Sequence, residues 1–445
     1  MAKAAKVRIS QCMIVKNEEK NIERALSWGK GIVSEQIVVD TGSTDRTVDI
    51  ARQMGAKVYE FQWIDDFAAA KNYAIGKAKY EWIAFLDADE YFTPEEGRKL
   101  LNALRLLHNT GAESILTGWV NLDNQGNIMF VGTQRRIFRN LPFLRYKGRI
   151  HESLTTKEGH LIDTVDMVEE LSIFHTGYGD QENAKKSGRN LKLIREELKD
   201  NPDNYEMWGY LGQEHVSAGQ WAEAEEAFWK AVHLMPDKIK GIYDANASLI
   251  LLRLIEVLIN REEPSEETLM KAYELAVEGW PQEADYDYYL GKYFTGKGNW
   301  QKGETHLRQA LTLLETYSNT GKSMVLSGEI QRAYELLAVC CYNNGKYGDC
   351  VQLTTALLKG NPYLMSTAMV LLMAFSKDPE ISMKGEEGAR AVAEFLGGNF
   401  YDFNSLKDRL FVLRAAMSAG YADLVRIVRG MFTPEELKSV DQALK

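Results

Sequence analysis

What the 445-residue chain lacks narrows its class before any motif is read. It has four cysteines, Cys12, Cys340, Cys341 and Cys350, and none is spaced as a CxxC pair. Three of them fall on apolar helical faces, so buried free thiols in a reducing compartment are the expectation. No run of about 18 uninterrupted apolar residues occurs, which argues against a membrane-spanning helix. The opening MAKAAKVRIS is basic but runs directly into a strand pattern, without the apolar stretch of a signal peptide. There is no excess of positive charge either. A net charge of -10 argues against non-specific nucleic-acid binding. A cytoplasmic protein without stable membrane insertion is expected.

What is present points to two or more domains, since one ordinary core does not grow to this length. Hydrophobic residues make up 45% and charged residues 26%, a normal globular balance. Residues 1–180 carry 23 Lys/Arg against 25 Asp/Glu, and the remainder 30 against 38, so most of the negative charge lies in the second part. Solvated helix faces account for such an excess, and so does a surface for a basic partner.

The first 100 residues alternate between strand and helix patterns. RISQCMIV (8–15) is an apolar β run ending at Lys16-Asn17-Glu18-Glu19, followed by a helical pattern with Ile22, Ala25, Leu26 and Trp28 on one side. EQIVVD (35–40) has the composition of a buried parallel strand. It stops at Thr41-Gly42-Ser43-Thr44-Asp45, where Ser43 or Asp45 can cap the next helix, which closes at Gly55. KVYEF gives a third strand, residues 66–79 a helix, and EWIAFLDADE (81–90) a fourth strand ending in carboxylates. This alternation predicts a doubly wound parallel sheet, whose ligands bind beyond the carboxyl ends of the strands. Asn17, Glu18, Asp40, Asp87 and Asp89 all stand at such ends. On an extended segment Asp87 and Asp89 would share one face, where two carboxylates can hold a hard cation beside a diphosphate.

Four ordered segments, CMIVKNEE, IVVDTGSTDRTVDIA, DDFAAAKNYAI and WIAFLDADE, resemble the family 2 glycosyltransferases of GT-A fold over roughly residues 8–180. The resemblance implies that Glu18 and Asp40 contact the nucleoside and that Asp87 faces the ribose. It makes Asp89 a ligand of Mn²⁺ or Mg²⁺ bridging the diphosphate, and places Lys71 and Asn72 near the phosphates. Val15, Asn17, Ser43, Ala88 and Arg136 complete the expected nucleotide-sugar site. Many members carry a second Asp where this chain has Thr41, which leaves uridine the favoured base without fixing it.

Residues 113–139 read as two β segments around a turn at Asn124-Gln125-Gly126. Arg135, Arg136, Arg139, Arg145, Lys147 and Arg149 then crowd six cations into 15 residues, either a basic surface strand or a wall facing a diphosphate. His151, Glu152 and His175 follow at the ends of β segments. The chain is further similar to the bacterial peptide S-glycosyltransferases that make glycocins, which carry helical repeats after a GT-A domain. That resemblance makes His175 a third metal ligand and places His151 and Glu152 in the acceptor site. Glu152 is the nominated base of an inverting displacement, with His151 as the fallback.

The second half is a repeat array. Trp208, Leu211, Gly212, Ala224, Phe228, Ala231 and Pro236 stand at tetratricopeptide spacing. Leu290, Gly291, Phe294, Gly303, Leu307 and Ala310 repeat that register, and Tyr334, Leu337, Ala338, Cys350 and Pro362 form a third unit. Residues 243–281 read as a degenerate unit with an insertion near Glu262-Glu263-Pro264, and 363–445 as a capping end. The expected architecture is an α/β GT-A (Rossmann-like) nucleotide-sugar domain (1–180), a linker helix (181–200) and an all-α tetratricopeptide-repeat superhelix (201–445). Lys185, Lys186 and Arg189 of the linker read as a solvated face.

Three functions fit this pattern. The favoured one is metal-dependent transfer of a sugar from a UDP-sugar to a Cys or Ser of a peptide or protein, with the repeats binding acceptor or forming a homodimer. The others are the same reaction on a cell-surface or lipid-linked carbohydrate, and a non-catalytic repeat scaffold.

Overall fold

The structure, a computed structural model, describes residues 7–157, 160–176, 180–237, 245–317 and 323–443. Gly177 and Tyr178 of the LSIFHTGY motif, and the side chains of Lys185 and Lys186, lie outside the described residues. The chain divides into two compact units, 1–214 and 215–445.

In the first unit the predicted alternation appears as β1 (Ile9–Val15), α1 (Ile22–Ser27), β2 (Glu35–Asp40), α2 (Thr47–Gln53), β3 (Lys57–Glu60), α3 (Phe67–Lys77) and β4 (Trp82–Phe85). β3, β2, β1 and β4 lie side by side and parallel. β1 is buried on both faces because helices cover both. Cys12, Ile37, Val39 and Phe85 pack against Ala74 and Ile75 of α3. Met13, Val15 and Val38 meet Ile22, Leu26 and Ala51 of α1 and α2 on the other face.

The fourth strand is shorter than its sequence predicts. β4 stops at Phe85, and Asp87-Ala88-Asp89 forms a turn in which the Glu90 N–H donates to the Asp87 carbonyl at 3.0 Å. The two carboxylates therefore do not share the face of an extended strand. The next elements are β5 (Glu90–Tyr91), α4 (Pro94–Leu107), β6 (Ser114–Leu122), β7 (Ile128–Arg139), β8 (Leu144–Lys147), β9 (Ser153–Thr156) and β10 (Thr164–His175). They extend the sheet to the order β3-β2-β1-β4-β7-β6-β10-β5, with β8 and β9 as a separate ribbon. The four strands read from the first 100 residues are parallel as expected, and the sheet becomes mixed beyond them because β7 runs antiparallel to both β4 and β6. The unit continues with α5 (Asp180–Asp200) and the start of α6 (Tyr205–Ser217).

The second unit is helical. α7 (Trp221–Leu234), α8 (Ala245–Ile259) and α9 (Glu266–Gly279) precede α10 (Ala284–Gly296) and α11 (Trp300–Tyr317). The short α12 (Met324–Gly328) leads into α13 (Ile330–Asn343) and α14 (Tyr347–Gly360), and six further helices lie between Met365 and Ala443. The small residues of the repeat pattern have a steric reason. A methyl group on Gly291 would stand 2.7 Å from Leu307 Cγ, and one on Gly303 would stand 2.6 Å from Thr295 Oγ1 and 3.1 Å from Cys340 Sγ. All four cysteines are buried and free, as expected. Among the described residues no helix is long and apolar enough to cross a membrane.

Candidate active site

The site is assembled where the parallel strands end. After β1 the chain turns sharply, with Asn17 in the left-handed region at φ 59°. Its backbone N–H donates to Ser43 Oγ (2.9 Å), and its own Oδ1 accepts from the Thr44 N–H (2.7 Å). Asp40 at the end of β2 accepts from the N–H groups of Gly42 (3.2 Å) and Ser43 (3.1 Å). Gly42 reaches φ 106°, an angle at which a side chain would be strained. Asn17, Asp40 and Ser43 thus tie the two loops together.

Helix α3 brings in the central cation. Asp66 caps it by accepting from the Ala69 N–H at 2.8 Å, and Ala68, Ala70 and Ala74 let it lie close to the sheet. Lys71 is consequently buried, its ammonium 5.1 Å from the ring centres of both Phe85 and Tyr146. It pairs with Glu152 Oε1 at 2.6 Å and Asp87 Oδ1 at 3.5 Å. Burial alone would lower its pKa, but Asp87 and Glu152 outweigh burial and hold it above the ordinary lysine value. Asn72, beside it, exchanges hydrogen bonds with the backbone of Tyr146 and fixes β8.

A second cation holds the turn after β4. Arg136 of β7 donates to Asp87 Oδ2 (2.5 Å) and Glu90 Oε1 (2.9 Å). Glu90 is buried and also accepts from the Trp119 indole N–H (3.0 Å) and the Asp87 backbone N–H (2.9 Å). Burial would raise the pKa of Asp87, yet Arg136 and Lys71 keep it far below the usual carboxylate range. Burial and Asp87 push Glu90 the other way.

Asp89 faces away from this pair, towards β10. Its Oδ2 lies 3.3 Å from His175 Nε2. His175 stacks on Trp119, with ring centres 4.7 Å apart, and its Nδ1 is 2.8 Å from Asn121 Oδ1. A proton on Nδ1 satisfies that contact and leaves the Nε2 lone pair facing Asp89. Among the described residues Asp89 has no Lys or Arg partner, whereas Glu90 and Glu152 each have one and Asp87 has two. One carboxylate oxygen and one imidazole nitrogen, with open space beside them, fit a divalent cation that keeps positions for phosphate oxygens.

These groups converge on one cavity of about 380 Å³. Val15, Glu18, Lys71, Asp87, Ala88, Asp89, Arg136, His151, Glu152 and His175 line it. Asn17, Asp40 and Ser43 are outside the lining, and their hydrogen bonds hold the loops that carry the lining residues Lys16, Glu18 and Thr41. The cation-rich stretch does not form a wall. Arg139 pairs with Glu81 and the carbonyls closing α4, Arg145 bonds to the carbonyls of Leu141 and Leu144, and Arg149 pairs with Asp200. Only Arg136 of that stretch lines the cavity. On β7 strand alternation turns Arg135 to the side opposite Arg136, whereas Arg145 and Arg149 lie beyond β7 and are held by other partners.

His151 adopts φ 50° and stacks on Tyr210 of α6 at 3.6 Å, with the rings 6° from parallel. Part of its ring stays exposed, yet desolvation by the packed protein pulls its pKa down to about 4, against the opposing pull of Glu152.

Trp63, Phe67, Glu90, Trp119, Arg189 and Asn190 also line the cavity and were not singled out in the sequence as site residues. Trp119 and Asn121 were within reach, since period-two spacing on a strand leading to the site puts them on one face. Arg189, read as part of a solvated face, is exposed and also lines the cavity from α5. Among the described residues one other trio, Glu304, Cys341 and Asp349, brings three potential metal donors together. Arg308 and Lys346 already neutralise it, at 2.6–2.8 Å from its carboxylates, so it is an ion-pair network of the second unit.

Residues 10–152 match the family described as Glycosyl transferase family 2. Glycosyltransferase SunS of Bacillus phage SPbeta is 31% identical over 207 residues, which is 45% of this chain and 48% of that protein. A TPR repeat-containing protein of Synechococcus elongatus is 38% identical over 149 residues, 34% of this chain and 36% of its own length. The chain thus spans less than half the length of these curated relatives. Among solved structures, glucosyl-3-phosphoglycerate synthase from Mycobacterium tuberculosis with Mn²⁺ and UDP is 24% identical, over 26% of this chain and 44% of that one, with a TM-score of 0.23. TarS of S. aureus is 14% identical, over 62% of this chain and 90% of that one, with a TM-score of 0.35.

Proposed function

We propose that the chain, whose N-terminal residues 10–152 form a family 2 glycosyltransferase domain, transfers a sugar from a nucleotide diphosphate, UDP being the favoured one, to a Cys or Ser side chain of a peptide or protein. The observation that carries this reading is the convergence of Lys71, Asp87, Asp89, Arg136, Glu152 and His175 on a single cavity at the strand ends.

In this reading Val15 and Glu18 receive the nucleoside, with Asp40 and Ser43 holding the loops that shape its pocket. Asp87, fixed by Arg136 and Lys71, presents its carboxylate to the ribose. Asp89 and His175 would hold Mn²⁺ or Mg²⁺, which supplies neutralising charge to the diphosphate as it leaves. Glu152 accepts the proton of the acceptor thiol or hydroxyl as its sulfur or oxygen bonds to the anomeric carbon and the bond to the diphosphate breaks. A thiol acceptor, with an ordinary pKa near ~8.5, needs less help than a hydroxyl. The repeats of the second unit bind the acceptor or a second copy of the chain.

The test is a thermal-shift screen of UDP, GDP, CDP and dTDP with and without Mn²⁺ or Mg²⁺. Binding to the native state raises the midpoint by linkage. A rise with UDP that requires the metal, and that Asp89→Asn removes, is the expected result. No shift with any nucleotide would overturn the reading.

A further inference from the structure

The cavity has a wall that the proposed chemistry leaves unused. Trp63 and Phe67 pack edge to face with ring centres 4.9 Å apart. The Arg189 guanidinium of α5 lies 5.1 Å above the Phe67 ring. All three line the cavity together with Glu152.

This wall is held in place. The Trp63 indole N–H donates to Asp65 Oδ1 (2.8 Å), and Lys192 of α5 donates to Asp65 Oδ2 (2.7 Å). The Phe67 N–H donates to the Arg149 carbonyl (2.8 Å), and Arg149 in turn pairs with Asp200 at the end of α5 (2.5 Å). The segments bearing Trp63, Phe67 and Glu152 are therefore clamped to one helix at two places.

Arg189 differs from the two inner cations. Lys71 and Arg136 are each committed to two carboxylates. Among the described residues Arg189 hydrogen-bonds only to the side-chain oxygen of Asn190, at 3.1 and 3.4 Å. Desolvation lowers its pKa, with Glu152 acting against that from a distance. A guanidinium fork with no anion of its own, over an aromatic ring and beside the nominated base, is suited to a planar carboxylate.

We infer that Trp63, Phe67 and Arg189 form an acceptor subsite that reads a carboxylate carried next to the group receiving the sugar. The inference rests on the glycosyl-transfer reading. Arg189 pairs with the carboxylate, while the Trp63 and Phe67 rings cover the apolar part of the same segment. The carboxylate belongs either to an Asp or Glu side chain or to a chain terminus.

The experiment uses the full chain, a nucleotide sugar with Mn²⁺, and capped cysteine tetrapeptides in matched pairs. One pair differs as Glu against Gln beside the cysteine. A second pair differs as free C-terminal acid against amide, which separates the two sources. Wild type should prefer the acidic member of one pair by about tenfold or more in kcat/KM, the range of a charged hydrogen bond. Arg189→Gln should bring that ratio close to one, Arg189→Lys should keep part of it, and Arg189→Glu should favour a peptide with Lys in place of Glu. Equal losses on both members, or no preference in wild type, would overturn the subsite. Donor hydrolysis without transfer to any of the peptides would also overturn it, while leaving the donor site standing. Absence of both hydrolysis and nucleotide binding would overturn the glycosyl-transfer reading itself.

Discussion

Lys71 and Glu152 form an ion pair of 2.6 Å on which the two halves of the site depend, because the same ammonium also lies 3.5 Å from Asp87. The lysine is buried between aromatic rings and has no freedom to follow a phosphate. Its charge holds the nominated base from one side and Asp87, proposed to face the donor, from the other. Lys71→Met leaves two carboxylates without their shared counter-charge, and breaking a buried pair costs about 3–5 kcal/mol. The expected outcome is a lower thermal midpoint and a kcat reduced by about 10²-fold or more, with donor KM changed far less. A raised donor KM with kcat intact would instead make Lys71 a phosphate ligand.

Asn121 stands one step behind Asp89 and His175, the proposed metal ligands. Its Oδ1 fixes His175 by accepting from Nδ1, which turns Nε2 towards Asp89. Asn121→Ala should weaken Mn²⁺ binding by about 10–100-fold, as loss of such an orienting partner generally does. Titration of nucleotide-dependent activity with Mn²⁺ checks this, and an unchanged metal requirement would remove His175 from the ligand set.

The pKa of His151 bears on the choice of base. Desolvation holds it near 4, so the ring is neutral throughout the range in which a free histidine titrates. A kcat/KM profile between pH 5 and 8 should therefore show no limb that disappears in His151→Gln. Such a limb would transfer the base assignment from Glu152 to His151.

Glu304 makes the second unit sensitive to acid. Burial would raise its pKa, but Lys346, Arg308 and Asn344 outweigh burial and bring it from 4.5 to about 2. A carboxylate whose folded pKa is depressed stabilises fully above its unfolded value and loses that contribution as pH falls through the folded one. The wild-type thermal midpoint should thus decline between pH 4.5 and 2 more steeply than that of Glu304→Gln. Coincident slopes would show that the network contributes nothing.

Gly303→Ala tests the close helix approach in the repeats. The added methyl group would meet the Thr295 hydroxyl at 2.6 Å and its backbone nitrogen at 3.2 Å. Overpacking of this kind costs about 1–3 kcal/mol. A lower denaturation midpoint is expected, while an unchanged one would mean that α10 and α11 separate without penalty.

The sequence carried the strands and the repeats more plainly than the cavity wall. Runs such as EQIVVD and WIAF are apolar on both faces because helices cover both, and that pattern is visible one residue at a time. Asp87 and Asp89 were singled out by position and both line the cavity, but their division between Arg136 and His175 was not legible. It depends on a turn that begins where β4 ends, two residues before Asp87. The six cations from Arg135 to Arg149 looked alike in sequence. Their separation into one lining residue and several structural ones is decided by partners such as Glu81 and Asp200, 50 or more residues away in the chain. Arg189 carried no local signal, because its place is set by the clamp between Asp65 and Lys192.

The stretch from the end of β10 through α5 has an evolutionary consequence. His175, Arg189 and Asn190 all lie beyond residue 152, where the match to the family ends, yet they line the same cavity as Asp87 and Lys71. The proposed metal ligand His175 and the α5 side of the wall are therefore encoded downstream of the stretch that carries Lys71, Asp87 and Asp89. A substitution or recombination downstream of residue 152 can thus alter both what the cavity accepts and the proposed metal pair, while residues 10–152 are inherited unchanged. A graft of residues 10–152 alone would carry over an unfinished vessel, its remaining wall supplied by whatever host sequence followed.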